Sequence, residues 1–117
     1  MYKKKILVVE DDELVASFMM AILELQGFLV EVAKDGIEGL EKIKQNRYDV
    51  IISDYLMPGI NGEELYHKIR TIKQDLEKRI IFISGITNEF LTSHGNMFLP
   101  KPFTVKELIE AVKKLTH

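Results

Sequence analysis

Short continuous runs of apolar residues alternate along the chain with stretches in which apolar residues recur at every third or fourth position. Continuous runs that are rich in β-branched side chains predict strands buried on both faces. Such runs occur at residues 5–10, 28–33, 48–53, 79–84 and, as a shorter run, 97–99. The sequence therefore predicts five strands.

The stretches between the predicted strands have the apolar spacing of amphipathic helices. Helices are predicted at residues 13–26, 35–46, 62–73 and 104–115. The first helix carries an apolar series at helical spacing, formed by Leu14, Phe18, Ile22 and Leu25. Asp12, Asp35 and Thr104 are placed to act as N-caps, because their side-chain oxygens can accept from free backbone N–H groups.

Residues 85–96 interrupt this alternation. They hold Phe90 and Leu91 among small and polar residues, so we expect one or two helical turns at most and a shortened fourth helix. The alternation of apolar strands with helices still predicts an α/β fold, in which a parallel sheet is covered by helices on both faces. A chain of 117 residues suits one domain, which we expect to span residues 1–117.

Composition and charge exclude several classes of function. The net charge is −2 and no basic run exceeds residues 3–5, so the chain lacks the electrostatic footprint of a nucleic-acid-binding protein. It contains no cysteine, which excludes disulfides and thiolate metal sites. The apolar run at residues 6–9 is too short for a membrane span or the core of a signal peptide. We expect a cytoplasmic protein that binds neither nucleic acid nor membrane.

Charged and hydroxyl side chains stand just beyond the ends of four predicted strands. Glu10 and Asp11 follow the first strand, Asp54 the third, Ser84 ends the fourth, and Lys101 follows the last. In an open parallel sheet, ligands bind outside the carboxyl ends of the strands, where the strand order reverses. We therefore expect these side chains to meet at one edge of the sheet.

This set of side chains suits phosphoryl transfer. Clustered carboxylates repel one another, and a hard divalent cation such as Mg²⁺, which prefers oxygen ligands, is their natural neutraliser. An aspartate can attack a phosphoryl donor and form an aspartyl-phosphate. A metal ion, a lysine and a hydroxyl group then stabilise the transferring oxygens.

Four motifs appear in order, each at a predicted strand end: Ile-Leu-Val-Val-Glu-Asp-Asp at 6–12, Asp-Tyr-Leu-Met-Pro-Gly-Ile-Asn-Gly at 54–62, Ile-Ser-Gly at 83–85 and Lys-Pro-Phe at 101–103. Through them the chain resembles the receiver domain of two-component response regulators over residues 4–115. The resemblance implies a flavodoxin-like three-layer sandwich, in which a five-stranded parallel sheet of order 2-1-3-4-5 carries helices on both faces.

The resemblance also implies roles for individual residues. Asp54 would accept a phosphoryl group from a phosphohistidine on a sensor histidine kinase or a phosphotransfer protein. Asp11 and Asp54 would bind Mg²⁺ (or Mn²⁺), helped by Glu10 through water and by the backbone carbonyl of Leu56. A change at the site would then alter a surface that binds a downstream protein, which the sequence does not identify.

The same resemblance makes Lys101 the phosphate-binding lysine, Ser84 the switch hydroxyl and Phe98 the aromatic residue whose rotamer follows phosphorylation. It implies a cis peptide bond before Pro102. The loop after Asp54 would be held by turn-forming residues, which are Pro58, Gly59 and Gly62.

The chain departs from the family pattern at four places, one of which is the lack of a hydroxyl group on Phe98. Glu10 replaces the more usual aspartate, Ser84 replaces threonine, and the segment between Ser84 and Lys101 is short. Receivers attached to histidine kinases often show a similar Ser-Gly opening and Phe-Leu-x-Lys-Pro-Phe close. Leu56 and Ile86 should flank the acyl phosphate without a group to orient water, so we expect slow self-dephosphorylation.

Two other classes of function compete with this interpretation. A phosphatase of the haloacid-dehalogenase type has a second aspartate two residues after the nucleophile, where this chain has Leu56. A pseudo-receiver, which binds partners without phosphorylation, usually lacks the acidic pair or the lysine. We therefore expect a signalling phosphoacceptor rather than an enzyme for external substrates. Whether it acts alone or is excised from a hybrid histidine kinase or longer regulator stays open, although we expect no output domain after residue 115.

Overall fold

The computed structural model describes residues 3–93 and 97–116, with the backbone but not the side chain of Met97. Within these residues, five strands form one parallel sheet in the order β2-β1-β3-β4-β5. The strands are β1 (Lys5–Val9), β2 (Leu29–Ala33), β3 (Val50–Asp54), β4 (Ile80–Ser84) and β5 (Met97–Pro100). The predicted parallel sheet and its strand order are confirmed.

Helices connect the strands, as the apolar periodicity predicts. They are α1 (Glu13–Leu25), α2 (Gly36–Gln45), α3 (Gly62–Ile72), α4 (Glu89–Ser93) and α5 (Val105–Thr116). A 3₁₀ segment at Gln74–Arg79, which the periodicity does not predict, leads into β4. The shortened fourth helix is confirmed, and residues 94–96 of the predicted weak segment lie outside the described part of the chain.

The predicted caps are formed. The Asp12 carboxylate accepts from Leu14 N at 2.9 Å, and Asp35 accepts from Glu38 N at 2.8 Å. Thr104 shares a reciprocal pair of hydrogen bonds with Glu107, at 3.1 and 2.8 Å. Each cap satisfies backbone donors that a helix start leaves free.

The two faces of the sheet bury different helices. On β1, Leu7 and Val9 face a core shared with α2, α3 and α4, whereas Ile6 and Val8 face a core shared with α1 and α5. Side chains alternate between the faces of a strand, and here both faces are covered. This is why the strands are apolar without interruption and the fold is a three-layer sandwich.

The apolar series that predicts α1 is not the face that packs on the sheet. Leu14 and Leu25 are 83% and 85% exposed, and Phe18 is 57% exposed; Ile22 alone of the predicted series is buried among the described residues. The buried face consists of Ala16, Met19, Ile22 and Leu23. The helix has two apolar faces, so periodicity predicts a helix without deciding which face meets the sheet.

The strand order determines where a ligand can bind. After β1 the chain crosses to β2 on one side, and it then returns to β3 on the other side of β1. The loops after β1 and β3 therefore diverge, and a crevice opens at the carboxyl ends of these two strands. No helix within the described residues is both long and apolar enough to cross a membrane.

Candidate functional site

An acidic cluster occupies the crevice between β1 and β3. Val9 pairs with Ser53 across the two strands, so Glu10 and Asp54 come next to each other at the following position. Glu10, Asp11 and Asp54 each offer a carboxylate oxygen, and these oxygens lie within 4.8 Å of one another. The structure thus brings together the three acidic residues that the sequence places at strand ends.

Glu10 is the buried member of the acidic cluster. It is 6% exposed, and within the described residues its Oε2 atom has no hydrogen-bond partner. Burial, and after it the neighbouring Asp54 carboxylate, raises the pKa of Glu10 to about 7. An ionised carboxylate in this position is costly unless a positive charge compensates it. Glu10 therefore requires either a proton or a cation.

The donor set of the acidic cluster fits a hard divalent cation. All three side chains offer oxygen atoms, which Mg²⁺ prefers, and one or two carboxylates with water are its usual protein ligands. Asp11 is exposed and Asp54 is half-buried, so water has access to the cluster. The unpaired Glu10 oxygen marks where a cation, or water bound to it, would be satisfied.

Lys101 faces the acidic cluster from the end of β5. Its Nζ atom lies 3.4 Å from Asp54 Oδ2, and its side chain remains 43% exposed. The backbone N–H of Lys101 donates to the Ser84 carbonyl at 2.8 Å, which fixes the residue beside β4. The peptide bond between Lys101 and Pro102 is cis, as the resemblance implies.

Ser84 and Phe98 lie at different distances from the carboxyl edge of the sheet. Ser84 is 1% exposed, and its Oγ atom accepts from Ile86 N at 3.0 Å. Phe98 pairs with Phe82 two register positions before Ser84 and packs, partly buried, against the core of α2, α3 and α4. Ser84 therefore reaches the site edge, whereas Phe98 lies behind it; their switch roles stay predictions.

The loop after Asp54 contains the predicted glycines, which serve two different purposes. Gly59 has φ of +87°, a turn conformation that side chains disfavour, and Pro58 precedes it. Gly62 is instead the first residue of α3, where a Cβ atom would collide with the Tyr55 ring and come within 3.0 Å of Phe82. The expectation that Gly62 is a turn former is wrong, because close packing requires it.

Two features of the site are missed by sequence reasoning. Tyr55, directly after Asp54, is 4% exposed, and its hydroxyl accepts from Asn88 Nδ2 at 3.1 Å. Exposed apolar residues, of which sequence reasoning singles out only Leu56 and Ile86 as part of the site, also lie in the loops and the amino-terminal halves of the helices that follow the strand ends. This apolar rim consists of Leu14, Phe18, Ile37, Leu56, Ile86 and Val105. The exposed face of α1 and the motif position of Tyr55 were the available signals.

Comparison with known proteins gives concordant results. The profile of the response regulator receiver domain matches residues 6–113. The response regulator MprA of Mycobacterium sp. (strain KMS) is 33% identical over 114 residues, which cover 95% of this chain and 50% of that protein. The chain thus spans about half the length of the curated relatives it matches.

Solved structures of similar fold cover almost the whole chain. The receiver domain of the hybrid histidine kinase CckA is 37% identical, with a TM-score of 0.83 and coverage of 97% of this chain and 99% of that one. The response regulator TrrA of Thermotoga maritima, solved in complex with Mg(2+)-BeF, is 35% identical, with a TM-score of 0.86 and coverage of 96% and 98%.

The profile match extends over nearly all of the sheet and its helices, and the strand order agrees with that of the similar structures. The acidic residues, the serine and the lysine of the sequence motifs meet at the edge of the sheet where this fold binds its ligands. The chain belongs to the response-regulator receiver family.

Proposed function

We propose that this receiver domain takes a phosphoryl group onto Asp54 from a phosphohistidine of a sensor histidine kinase or phosphotransfer protein, in a Mg²⁺-dependent reaction. The modified domain then presents a changed surface to a downstream protein. One observation carries the proposal: Asp54 lies 3.4 Å from Lys101 Nζ and within 4.8 Å of the Glu10 and Asp11 carboxylates. A nucleophile, a metal-binding set and a phosphate-binding cation are thereby combined.

In the transfer step, an Asp54 carboxylate oxygen forms a bond to phosphorus while the nitrogen–phosphorus bond of the phosphohistidine breaks. The imidazole leaves and takes its proton from solvent. Lys101 stabilises the negative charge of the transferring oxygens, and the Ser84 hydroxyl donates to one of them. Charge stabilisation and positioning account for most of the catalysis in phosphoryl transfer.

A bound Mg²⁺ (or Mn²⁺), held by Asp11, Asp54, the Leu56 carbonyl and, through water, Glu10, would neutralise the clustered carboxylates and the charge on the phosphoryl oxygens. The unpaired Oε2 atom of buried Glu10 supports this metal. The similar TrrA structure, which carries Mg(2+)-BeF, supports it independently.

The apolar rim supports a protein as the donor. Leu14 and Phe18 project from α1 and Val105 from the start of α5, and all three are substantially exposed. Because α1 and α5 pack on the same face of the sheet, these residues belong to one side of the domain, and exposed apolar patches mark interaction sites. A helical partner that covers them would exclude water while its phosphohistidine reaches Asp54.

The competing classes receive less support. Leu56 offers no carboxylate at the position where a phosphatase of the haloacid-dehalogenase type needs its acid, so we propose that the domain catalyses only its own phosphorylation and dephosphorylation. A pseudo-receiver would not need the acidic cluster and Lys101 to converge. We further propose that the domain works in the cytoplasm, where histidine kinases hold their phosphohistidines.

The assignment of Asp54 is tested with acetyl phosphate and Mg²⁺, by measuring phosphoryl uptake with intact-mass spectrometry. The variant Asp54→Asn should take up none. Asp49→Asn is the matched control, because Asp49 precedes the same strand and accepts from Lys5 N at 2.8 Å at its opposite end. It should be phosphorylated like the wild type. If Asp54→Asn took up as much phosphoryl group as the wild type, the assignment of Asp54 would be wrong.

A further inference from the structure

The connection between β4 and α4 is tied by hydrogen bonds near both its ends. At the β4 end, Ile86 N donates to Ser84 Oγ at 3.0 Å. At the α4 end, Asn88 Nδ2 donates to Tyr55 OH at 3.1 Å. Ser84 ends the strand beside Asp54, and Tyr55 directly follows Asp54. The residues that precede α4 are therefore held by the immediate neighbours of the phosphoacceptor.

Tyr55 is itself fixed in the core. Its backbone N–H donates to the Ile83 carbonyl at 2.9 Å, and its carbonyl accepts from Gly62 N at 2.7 Å. Its ring meets Phe82 edge-on, with centroids 5.7 Å apart. The Tyr55 ring also packs directly on Gly62 at the start of α3, so the ring cannot move toward this helix. The Tyr55 hydroxyl is therefore a rigid anchor for Asn88.

Two of the residues that position α4 contact Tyr55. Asn88 caps the helix by accepting from Leu91 N at 3.0 Å. Phe90 is 7% exposed and lies near-parallel to the Tyr55 ring, with centroids 6.0 Å apart. A helix of five residues is far below the length that is stable alone in water. Core packing of Phe90 and Leu91 therefore holds α4 together with its cap, and Tyr55 contacts both Phe90 and the capping residue.

We propose that Tyr55 is the positioning residue through which phosphorylation of Asp54 controls α4, by means of the hydrogen bond between Tyr55 and Asn88, here called the Tyr55–Asn88 latch. This rests on the proposed function. A phosphoryl oxygen on Asp54 accepts from the Ser84 O–H, while Ser84 Oγ still accepts from Ile86 N, so reorientation of Ser84 draws the β4–α4 connection toward Asp54. Tyr55 stays in the core, so the latch opens and α4 loses an anchor.

The latch is tested first without phosphate, by NMR hydrogen exchange at the Leu91 and Thr92 amides. Tyr55→Phe keeps the ring and removes the hydroxyl, so exchange should quicken about fivefold, the usual value of one hydrogen bond. Tyr66→Phe is the matched control, because Tyr66 also packs on Phe90 but donates its hydroxyl to Glu77 at 3.2 Å. It should leave α4 exchange unchanged. Equal effects of the two variants would overturn the proposal.

A second variant separates the latch from the helix cap. Asn88→Ser keeps a good N-cap residue, and its side chain is too short to reach Tyr55. The α4 amides of Asn88→Ser should therefore exchange as fast as those of Tyr55→Phe. The double variant should show the same exchange rate as either single variant, because both substitutions remove the same hydrogen bond. Additive effects in the double variant would contradict a shared hydrogen bond.

The link to Asp54 is tested by adding Mg²⁺ and beryllium fluoride, the additive of the TrrA structure. Wild-type α4 exchange should rise to the level of Tyr55→Phe, and that variant should bind beryllium fluoride about fivefold more tightly, because coupling is reciprocal. If wild-type protein binds the additive without a change at α4, the latch proposal fails and the proposed function stands. If Asp54 takes up neither the additive nor a phosphoryl group, the proposed function itself fails.

Discussion

Charged side chains at the two ends of the sheet differ in whether they have hydrogen-bond or ion-pair partners. At the amino end, Glu31 lies 2.7 Å from Lys5 Nζ and accepts from Tyr48 OH at 2.6 Å, while Asp49 accepts from Lys5 N at 2.8 Å. At the carboxyl end, three carboxylates converge, and buried Glu10 keeps an oxygen without a partner among the described residues. One end satisfies its polar groups, and the other concentrates unsatisfied charge.

Surface shape points to the end of the sheet opposite the acidic cluster. A wide depression of about 1060 Å³ lies at the amino end and is rich in cations. Two of these cations cap helix ends: Lys73 donates to the Asn46 carbonyl at 2.7 Å, and Arg79 donates to the Leu115 carbonyl at 3.0 Å. Cations there compensate the negative ends of helices. A buried carboxylate oxygen without a hydrogen-bond partner in the described part of the chain therefore identifies the candidate site better than the size of a surface depression does.

The largest expected effect compares two lysines at opposite ends of the sheet. Lys101→Ala should slow phosphorylation of Asp54 by acetyl phosphate by about 10²- to 10³-fold, because one charge-stabilising donor is lost. Lys73→Ala should leave that rate unchanged and lower the unfolding free energy by about 1 kcal/mol, because a helix-end carbonyl loses its partner. Stopped-flow kinetics measures the phosphorylation rate, and urea unfolding measures the free energy of unfolding. A slower phosphorylation of Lys73→Ala would contradict the assignment of only Lys101 to the site.

The next effect compares two glutamates whose pKa values move in opposite directions. Burial raises the pKa of Glu10 from 4.5 to about 7, whereas hydrogen bonds from Lys5 and Tyr48 lower that of Glu31. The raised Glu10 pKa favours the folded state below pH 4.5, and this contribution is lost as the pH rises through about 7. The lowered Glu31 pKa favours the folded state above 4.5, and this contribution is lost as the pH falls.

Glutamine substitutions at Glu10 and Glu31 should change the stability at neutral pH in opposite directions. Without metal, Glu10→Gln should match the wild type near pH 4.5 and exceed its stability by about 1–3 kcal/mol above pH 7. Added Mg²⁺ should stabilise the wild type more than Glu10→Gln. Glu31→Gln should instead be less stable than the wild type at pH 7, and the difference should shrink in acid. Urea unfolding at several pH values measures this, and the same sign for both variants would contradict the comparison.

The smallest effect concerns the lifetime of the phosphoryl group. Leu56 and Ile86 are 54% and 46% exposed and offer water no polar group beside Asp54. Leu56→Gln and Ile86→Gln should each speed loss of the phosphoryl group by about tenfold, less than a fully oriented base provides. Ile37→Gln, at an exposed rim position on α2, is the matched control. Decay followed by mass spectrometry tests this, and unchanged decay in the first two variants would refute it.

Much of the fold and of the site could be predicted from the sequence because both depend on local patterns. Continuous apolar runs require burial on both faces, which gives the parallel sheet, and residues at strand ends meet when all strands are parallel. The candidate site residues Asp54, Glu10, Asp11, Ser84 and Lys101 are predicted in this way. The face of α1 could not be predicted, because Leu14 and Ile22 are equally apolar and only packing against the sheet separates them.

Local sequence patterns specify the strands, the main helices and the chemistry that gathers at the strand ends, since backbone periodicity and residue type act locally. Tertiary structure alone decided which apolar residues stay exposed, why Gly62 must lack a side chain and what Tyr55 contacts. Those outcomes depend on distances between residues far apart in the chain, such as Tyr55 and Asn88. Glu10 acquires its unusual environment in the same way, because the sheet brings it next to Asp54 and buries it.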